Sequence, residues 1–186
     1  MKQPDLRETF EQLDELKARE RRVAMATLVC TKGTTPKKEG AKMWVGEDGR
    51  IRGSVTIGGC VDARVIAESE DVLRSAAPRV ISMSLGDEDA WDLGLTCGGT
   101  VDVLIEPVQL DGGGDAVVEA YAAIRAEAEA GRRAVAVVPL DGAAAALTRR
   151  LVVREDGTIT GTLGNGELDA AAADRCDYTA SVGDLP

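Results

Sequence analysis

The sequence contains no histidine, and this absence removes several kinds of active site at once. Ser-His and Cys-His catalysis cannot be assembled from this chain, and neither can a metal site with an imidazole ligand. Aromatic residues are also scarce, with two Trp, two Tyr and one Phe among 186 residues. The core must therefore be built from aliphatic residues, and any chemistry must come from Cys, carboxylates, Lys, Thr or backbone amides.

Positive charge is in short supply, because 22 Lys and Arg face 32 Asp and Glu and leave a net charge of −10. A nucleic-acid surface and an anionic membrane both require clustered Lys and Arg, so we expect neither as a partner. No apolar run approaches the roughly 20 residues of a membrane span, and no signal peptide is expected. The four cysteines form no CxxC pair. These features predict a cytoplasmic protein with free thiols.

The chain contains an internal repeat. Residues 26–55 align without a gap with residues 134–163, at a constant offset of 108 residues. The Glu-Asp-Gly triplet at 47–49 recurs at 155–157, for example. Features that both copies share are expected to serve the fold, whereas features that only the first copy has are candidates for function.

The two copies diverge where each enters its second predicted helix. One additional residue in the first copy is needed there to keep the copies aligned. The aligned pairs are then Asp62 with Asp169, Cys60 with Glu167, and Gly58 with Asn165.

Periodicity predicts a mixed α/β (α+β) fold in which a strand, a hairpin and a helix occur twice. The predicted helices cover residues 5–22, 61–75, 115–131 and 167–175. The predicted strands cover 23–31, 41–45, 50–56, 79–84, 100–106 and 133–139, and a second hairpin turns at Asp156-Gly157. We expect a single compact domain over residues 1–186, composed of two pseudo-repeated halves at about 1–110 and 111–186.

Gly58-Gly59-Cys60 is the first candidate functional segment, because the second copy lacks it. It lies between a predicted strand and a helix expected to begin near Val61. Glycines at such a junction let backbone amides face outward, and a helix N-terminus attracts anions and favours a thiolate over a thiol. The alternative is a tight turn in which Cys60 is a small buried hydrophobic residue. The loss of the triplet from the second copy favours a functional role, with Cys60 as the catalytic residue if the protein is an enzyme.

Two further segments are candidates for the same site. Cys97-Gly98-Gly99 has the same composition in reversed order, which indicates either two loops that approach one ligand or two unrelated turns. The loop at 33–42 contains threonines, glycines and three lysines, as a phosphate group would require, and a solvated loop is the alternative. It is not a P-loop, because the GxxxxGK[ST] spacing is absent.

These segments together resemble the N-terminal domain of the XdhC/CoxI proteins, in order and in spacing. The resemblance covers nearly the whole chain and is strongest from residue 23 to 107. It rests on Gly33-Thr34-Thr35-Pro36, Gly40-Ala41-Lys42-Met43, Gly58-Gly59-Cys60-Val61-Asp62 and the run from Cys97 to Pro107. Family members commonly continue into a Rossmann-like domain, and this chain contains no GxGxxG fingerprint, so we expect that domain to be lacking.

The resemblance implies a role in the maturation of molybdenum hydroxylases such as xanthine dehydrogenase or carbon monoxide dehydrogenase. Such proteins are chaperones that bind the molybdenum cofactor, as molybdopterin or its dinucleotide, assist its sulfuration and deliver it to the apoenzyme. On this basis Cys60 is expected nearest the metal, with Cys97 as a second thiol. The other expected cofactor-binding residues are Gly58, Gly59, Gly98 and Gly99 in the glycine turns, and Thr34, Thr35, Lys37 and Lys42 at the phosphate end.

Three hypotheses follow for the function. A non-enzymatic factor that binds the cofactor for a hydroxylase apoenzyme is preferred. The second is a sulfur-transfer enzyme in which Cys60 takes a persulfide from a cysteine desulfurase. The third is a scaffold subunit that pairs with a separate Rossmann-domain protein. A homodimer is left open.

Overall fold

The structure, a computed structural model, describes residues 6–33, 35–56, 59–84 and 99–176. The helices within these ranges are α1 (Leu6–Lys17), α2 (Cys60–Ser75), α3 (Ala116–Glu129), α4 (Ala144–Leu147) and α5 (Gly166–Asp174). The strands are β1 (Arg22–Gly33), β2 (Lys42–Gly46), β3 (Ile51–Gly53), β4 (Arg79–Ser84), β5 (Gly99–Gln109), β6 (Ala134–Val137), β7 (Arg150–Arg154) and β8 (Ile159–Thr162). The predicted mixed α/β class is confirmed.

The chain divides into two compact units, residues 1–107 and 108–186. The first unit is built on a five-stranded sheet in the order β3-β2-β1-β5-β4. Alternate residues of its strands form one apolar core with α2, because successive side chains of a strand point to opposite faces. This core includes Ala24, Ala26, Met43, Val45, Val61, Val65, Val72, Val101, Val103 and Ile105.

Helix α1 covers the opposite face of the same sheet. Trp44 lies between two core residues of β2, so its side chain points away from α2. The indole is fully buried and its Nε1 donates a hydrogen bond to Gln12 Oε1 of α1 over 3.0 Å. The apolar face predicted for α1 is confirmed, since Phe10, Leu13 and Leu16 are all buried.

The second unit has its own, smaller core. Strands β6, β7 and β8 form a three-stranded antiparallel sheet. Its core consists of Leu151, Val153 and Leu163, against which Val137, Ala172, Ala173 and Cys176 pack. Helices α3 and α5 both contact this sheet. Burial in this apolar surrounding raises the pKa of the Cys176 thiol, as expected for a cysteine that fills space.

The internal repeat is reproduced down to individual backbone hydrogen bonds. In the first hairpin the Gly46 amide donates to the Arg50 carbonyl, and in the second the Arg154 amide donates to the Thr158 carbonyl. Each turn also contains an aspartate whose Oδ1 accepts from the amide two residues later, over 2.9 Å in both copies. The aspartates are Asp48 and Asp156, which differ by the predicted offset of 108 residues.

Several element boundaries differ from the predicted ones. Helix α1 ends at Lys17 rather than at residue 22, and β1 begins at Arg22. Strand β5 continues through Pro107 to Gln109. The last residue of β5 that pairs with β4 is Ile105, so β4 requires no amide donor from Pro107. The four-residue helix α4 was not predicted, because a hydrophobic period can be recognised only over a longer segment.

A glycine is required at the same place in both hairpins. Gly53 and Gly161 have φ angles of +71° and +80°, and a Cβ on them would lie 2.5 Å and 2.3 Å from the carbonyl oxygens of Lys42 and Arg150. The close approach of the neighbouring strand, in addition to the positive φ, therefore requires a glycine at both positions. Gly157 has a similar φ of +83° but nothing within 4 Å of a Cβ position.

We predict that Gly161→Ala destabilises the protein more than Gly157→Ala does. Both substitutions place a Cβ in left-handed backbone at a cost of about 1 kcal/mol, but only the first also displaces a strand, which should bring its total to about 2 kcal/mol or more. Urea unfolding followed by circular dichroism measures the difference. Equal losses in the two variants would show that the contact with Arg150 is relaxed without cost.

The loop from residue 35 to 40 is fastened to β1 by a carboxylate. Glu39 Oε1 accepts from the Thr31 amide over 2.9 Å and also from the Thr31 hydroxyl. The hydroxyl bond is the main cause that lowers the pKa of Glu39 below its ordinary value of 4.5. Because the folded-state pKa is the lower one, the carboxylate stabilises the loop above about pH 4.5, and this contribution is lost as the pH falls through the folded pKa.

We predict that hydrogen-exchange protection of the Thr31 amide decreases by about fivefold between pH 5 and pH 3, because a protonated carboxyl is a weaker acceptor. In Glu39→Gln the side-chain amide oxygen still accepts but does not titrate, so protection should not change over this range. Amide exchange resolved at Thr31 is the measurement. The same pH dependence in both proteins would place the titrating group elsewhere.

Candidate functional site

Cys60 is the first residue of α2, one position earlier than predicted, and its side chain is exposed. The residue before it, Gly59, is the N-cap, with φ 83° and ψ −157°. No side chain among the described residues caps this N-terminus. Among the described residues, no atom lies within 4 Å of a Cβ placed on Gly59, so it is the backbone conformation that requires a glycine here. The buried-cysteine alternative for Cys60 is therefore wrong.

The corresponding helix start in the second copy is closed by its own side chains. Asn165 is the N-cap of α5, and its Oδ1 accepts from the Glu167 amide over 2.8 Å. The residue opposite Cys60 is Glu167, an acid in the first turn. A capped and acidic helix start offers little to an anion, whereas the uncapped start of α2 presents its positive end beside a thiol.

The carboxylate of Asp62 closes the connection between β3 and α2. Its Oδ1 accepts from the Thr56 amide over 3.1 Å and from the Thr56 hydroxyl over 2.9 Å. Its Oδ2 accepts from the Ser54 hydroxyl over 2.5 Å. Asp62 is 7% exposed, so these bonds lie largely out of water. The side chain is therefore turned back onto the connection and does not serve as an acid in front of Cys60.

Asp169 makes the same closure in the second copy. Its Oδ1 accepts from the Leu163 amide and its Oδ2 from the Thr162 hydroxyl, each over 2.7 Å. The predicted equivalence of Asp62 and Asp169 is thus confirmed by matching bonds. Because both copies contain it, this aspartate serves the fold, as the comparison of the copies predicts.

Lys37 and Thr35 lie beside the connection between β3 and α2. Lys37 is half-buried, and its Nζ donates to the carbonyl of Ser54 over 2.7 Å. The Thr35 hydroxyl donates in turn to the Lys37 carbonyl over 3.0 Å. Since Ser54 also bonds Asp62, the structure brings the ammonium of Lys37 to the connection that leads to Cys60.

Lys42 belongs to a different surface. It precedes the core residue Met43 in β2, so its side chain points to the sheet face opposite α2. Its Nζ lies 3.4 Å from the hydroxyl of Thr27 on the paired strand β1. The structure does not bring the ammonium of Lys42 together with Cys60, so a common phosphate site for Lys37 and Lys42 is not supported.

Several predicted site residues fall outside the described ranges. Thr34, Gly58, Cys97 and Gly98 are among them, and only Gly99, the half-buried first residue of β5, is described from the second glycine turn. The approach of Cys97 to Cys60 therefore stays a prediction. Of the other cysteines, Cys30 and Cys176 are both half-buried, in contrast to the exposed Cys60.

Two features of the described structure were not found from the sequence. One is the pairing of Ser54 and Thr56 with Asp62, which the aspartate shared by both copies could have signalled. The other is Glu106, a carboxylate only 1% exposed in the middle of β5. Its sequence signal is an acid within the otherwise apolar run from Val103 to Val108. Alternation with Ile105 places it on the sheet face opposite α2.

Within the described ranges, no group of three or more Cys, Asp and Glu side chains is arranged to hold a metal ion. In the same part of the chain, no helix is both long enough and apolar enough to cross a membrane.

Residues 16–84 match the XdhC and CoxI family model, and this segment contains Thr35, Lys37, Lys42, Gly59 and Cys60. The chain is 38% identical over 82 residues to YqeB, an uncharacterized protein of Escherichia coli strain K12, across 44% of this chain and 15% of that protein.

The fold is similar to that of a Bacillus halodurans protein described as a xanthine dehydrogenase. The TM-score is 0.63 and the sequence identity 26%, over 84% of this chain and 45% of that chain. The present chain thus spans less than half the length of either relative. The sequence pattern of the XdhC and CoxI family is present over residues 16–84, which confirms the resemblance predicted from the motifs.

Proposed function

We propose that the protein is a maturation factor for a molybdenum hydroxylase and that it binds the molybdenum cofactor as cargo at the start of α2. The observation that carries the proposal is the exposed Cys60 at an uncapped helix N-terminus that the second copy of the repeat does not have. The family pattern over residues 16–84 and the likeness to a protein described as a xanthine dehydrogenase support the class of target enzyme.

The donor set at this site fits the chemistry of such a cargo. The cofactor, as molybdopterin or its dinucleotide, is anionic at its phosphate end and has a soft, thiophilic metal at the other. Helix-start amides and an ammonium are suited to the phosphate, and a thiol is suited to the metal or its sulfur. Gly59 and Cys60 supply the helix-start amides and the thiol, and the ammonium of Lys37 bonds the connection that leads to them.

The chain's own residues have separate tasks in this proposal. The Cys60 side chain is exposed, and no atom of the described residues lies within 4 Å of a Cβ position at Gly59. Asp62 holds the connection behind the thiol and contributes no free carboxylate in front of it. When bound, the cofactor supplies the metal and the terminal sulfur that the hydroxylase uses. The apoenzyme is the partner that takes it up.

We predict that the protein, purified without oxygen from cells that make the cofactor, carries molybdenum and the pterin, and that Cys60→Ala and Cys60→Ser remove most of both. Loss of one good thiol contact should weaken binding at least tenfold, about 1.4 kcal/mol. Metal analysis and the fluorescence of the oxidised pterin are the measurements.

Cys30→Ala is the matched control, because it removes a half-buried thiol from the same unit. Its cofactor content should equal that of the unaltered protein. Equal content in the Cys60 variants would move the site away from Cys60, and an unaltered protein that never carries or binds the pterin would refute the proposal.

An exposed thiol also favours the alternative of a sulfur-transfer enzyme. In that reaction the Cys60 thiolate attacks the outer sulfur of a persulfide on a cysteine desulfurase. The new Cys60 persulfide forms as the desulfurase leaves as a thiolate, so no external oxidant is needed. Mass spectrometry of Cys60 after incubation with a desulfurase and cysteine separates this function from binding. If Cys60 stays unmodified and the protein still binds the cofactor, the sulfur-transfer function is excluded and the chaperone function stands.

The scaffold hypothesis, with a separate Rossmann-domain protein as partner, stays a prediction, as does a homodimer. No observation on the described residues favours either over cofactor binding.

A further inference from the structure

A positively charged side chain bonds the strand-to-helix connection in both copies of the repeat. In the first copy Lys37 Nζ donates to the carbonyl of Ser54 over 2.7 Å. In the second copy Arg149 Nη1 donates to the carbonyl of Leu163 over 3.0 Å. Ser54 aligns with Thr162, so the two carbonyls lie on the same connection, one residue apart.

The two cations come from different places in the sequence. Lys37 aligns with position 145 and Arg149 with position 41, so neither has a basic counterpart in the other copy. The contact is therefore retained while the residue that makes it differs. Arg149 lies so close that a Cβ on Gly164 would be 1.6 Å from its Nη1. A bond from a cation to this connection thus belongs to the architecture of the repeat.

In the first copy the tethered connection leads into the candidate site. Ser54 accepts from Lys37 through its carbonyl and donates to Asp62 through its hydroxyl over 2.5 Å. Asp62 lies in the first turn of α2, two residues after Cys60. Lys37, Ser54 and Asp62 therefore form a continuous set of bonds that ends in the helical turn carrying the thiol.

We propose that Lys37 is a positioning residue for the Cys60 thiol, acting through the Ser54 carbonyl and the Asp62 carboxylate. The proposal rests on the proposed function only in taking Cys60 as the site thiol. The tether holds the connection in place, so the first turn of α2 stays formed and keeps the thiol at the helix start. Without the tether the first turn frays, and the sulfur is no longer held beside the helix-start amides, where a thiolate is favoured.

The test is the pH profile of Cys60 alkylation by iodoacetamide, followed by peptide mass spectrometry so that the other cysteines do not interfere. Lys37→Met should slow alkylation at pH 7 by about threefold, and the rates should converge at high pH where all thiols are ionised. Lys37→Arg, which keeps a donor and a positive charge, should restore the original profile.

Arg149→Met is the matched control. It removes the equivalent tether of the second copy, where Glu167 stands opposite Cys60 at the helix start, so it should lower the urea midpoint without moving the Cys60 profile. All rates are measured in the folded baseline of each variant. A Lys37→Met profile equal to that of the unaltered protein, or an equal shift in Arg149→Met, overturns the inference.

The cofactor assay distinguishes a failure of this inference from a failure of the proposed function. If Lys37→Met loses the pterin while its alkylation profile is unchanged, Lys37 is a direct phosphate ligand; the positioning role is then overturned and the proposed function stands. If the alkylation profile shifts but even the unaltered protein never binds the pterin, the positioning role stands and the proposed function fails.

Discussion

The structure depends on one recurring interaction, the aspartate that closes each strand-to-helix connection. Asp62 and Asp169 each accept from a backbone amide and a hydroxyl of the residues that leave the hairpin. A carboxylate is a strong hydrogen-bond acceptor. At these nearly buried positions, water cannot take over the hydrogen bonds that it accepts. The bond therefore fixes where each helix begins relative to its sheet. Any group at the helix start inherits that position.

Given this common frame, function can arise by changing what stands at the helix start. The second copy places Asn165 and Glu167 there, and the amide of Glu167 is satisfied within the chain. The first copy places Gly59 and Cys60 there and leaves the helix end uncapped by any described side chain. One duplicated unit thus has a helix start capped by its own side chain, and the other has an exposed thiol at that place.

The absence of histidine makes the Cys60 thiol the main candidate for chemistry in this chain. Without an imidazole, helix amides, lysine and arginine are the groups that can favour a thiolate, and Cys60 is exposed at a helix start. A single thiol of this kind suits a cargo that brings its own metal and ligands better than it suits a resident metal site. The acidic composition leaves Lys37 as a local positive charge against a net charge of −10.

The sequence by itself determined the class of fold, the repeat and its offset, the turns at Asp48 and Asp156, and Cys60 as the residue to examine. These follow from local rules, since hydrophobic period, turn residues and the start of a helix depend on neighbours in the chain. Only the tertiary structure separated Lys37 from Lys42, which lie in one basic run of the sequence. Lys37 Nζ bonds the Ser54 carbonyl, whereas Lys42 Nζ lies beside Thr27 on the sheet face opposite α2. Only the tertiary structure revealed the bonds of Ser54 and Asp62, which join residues through space and leave no periodic signal.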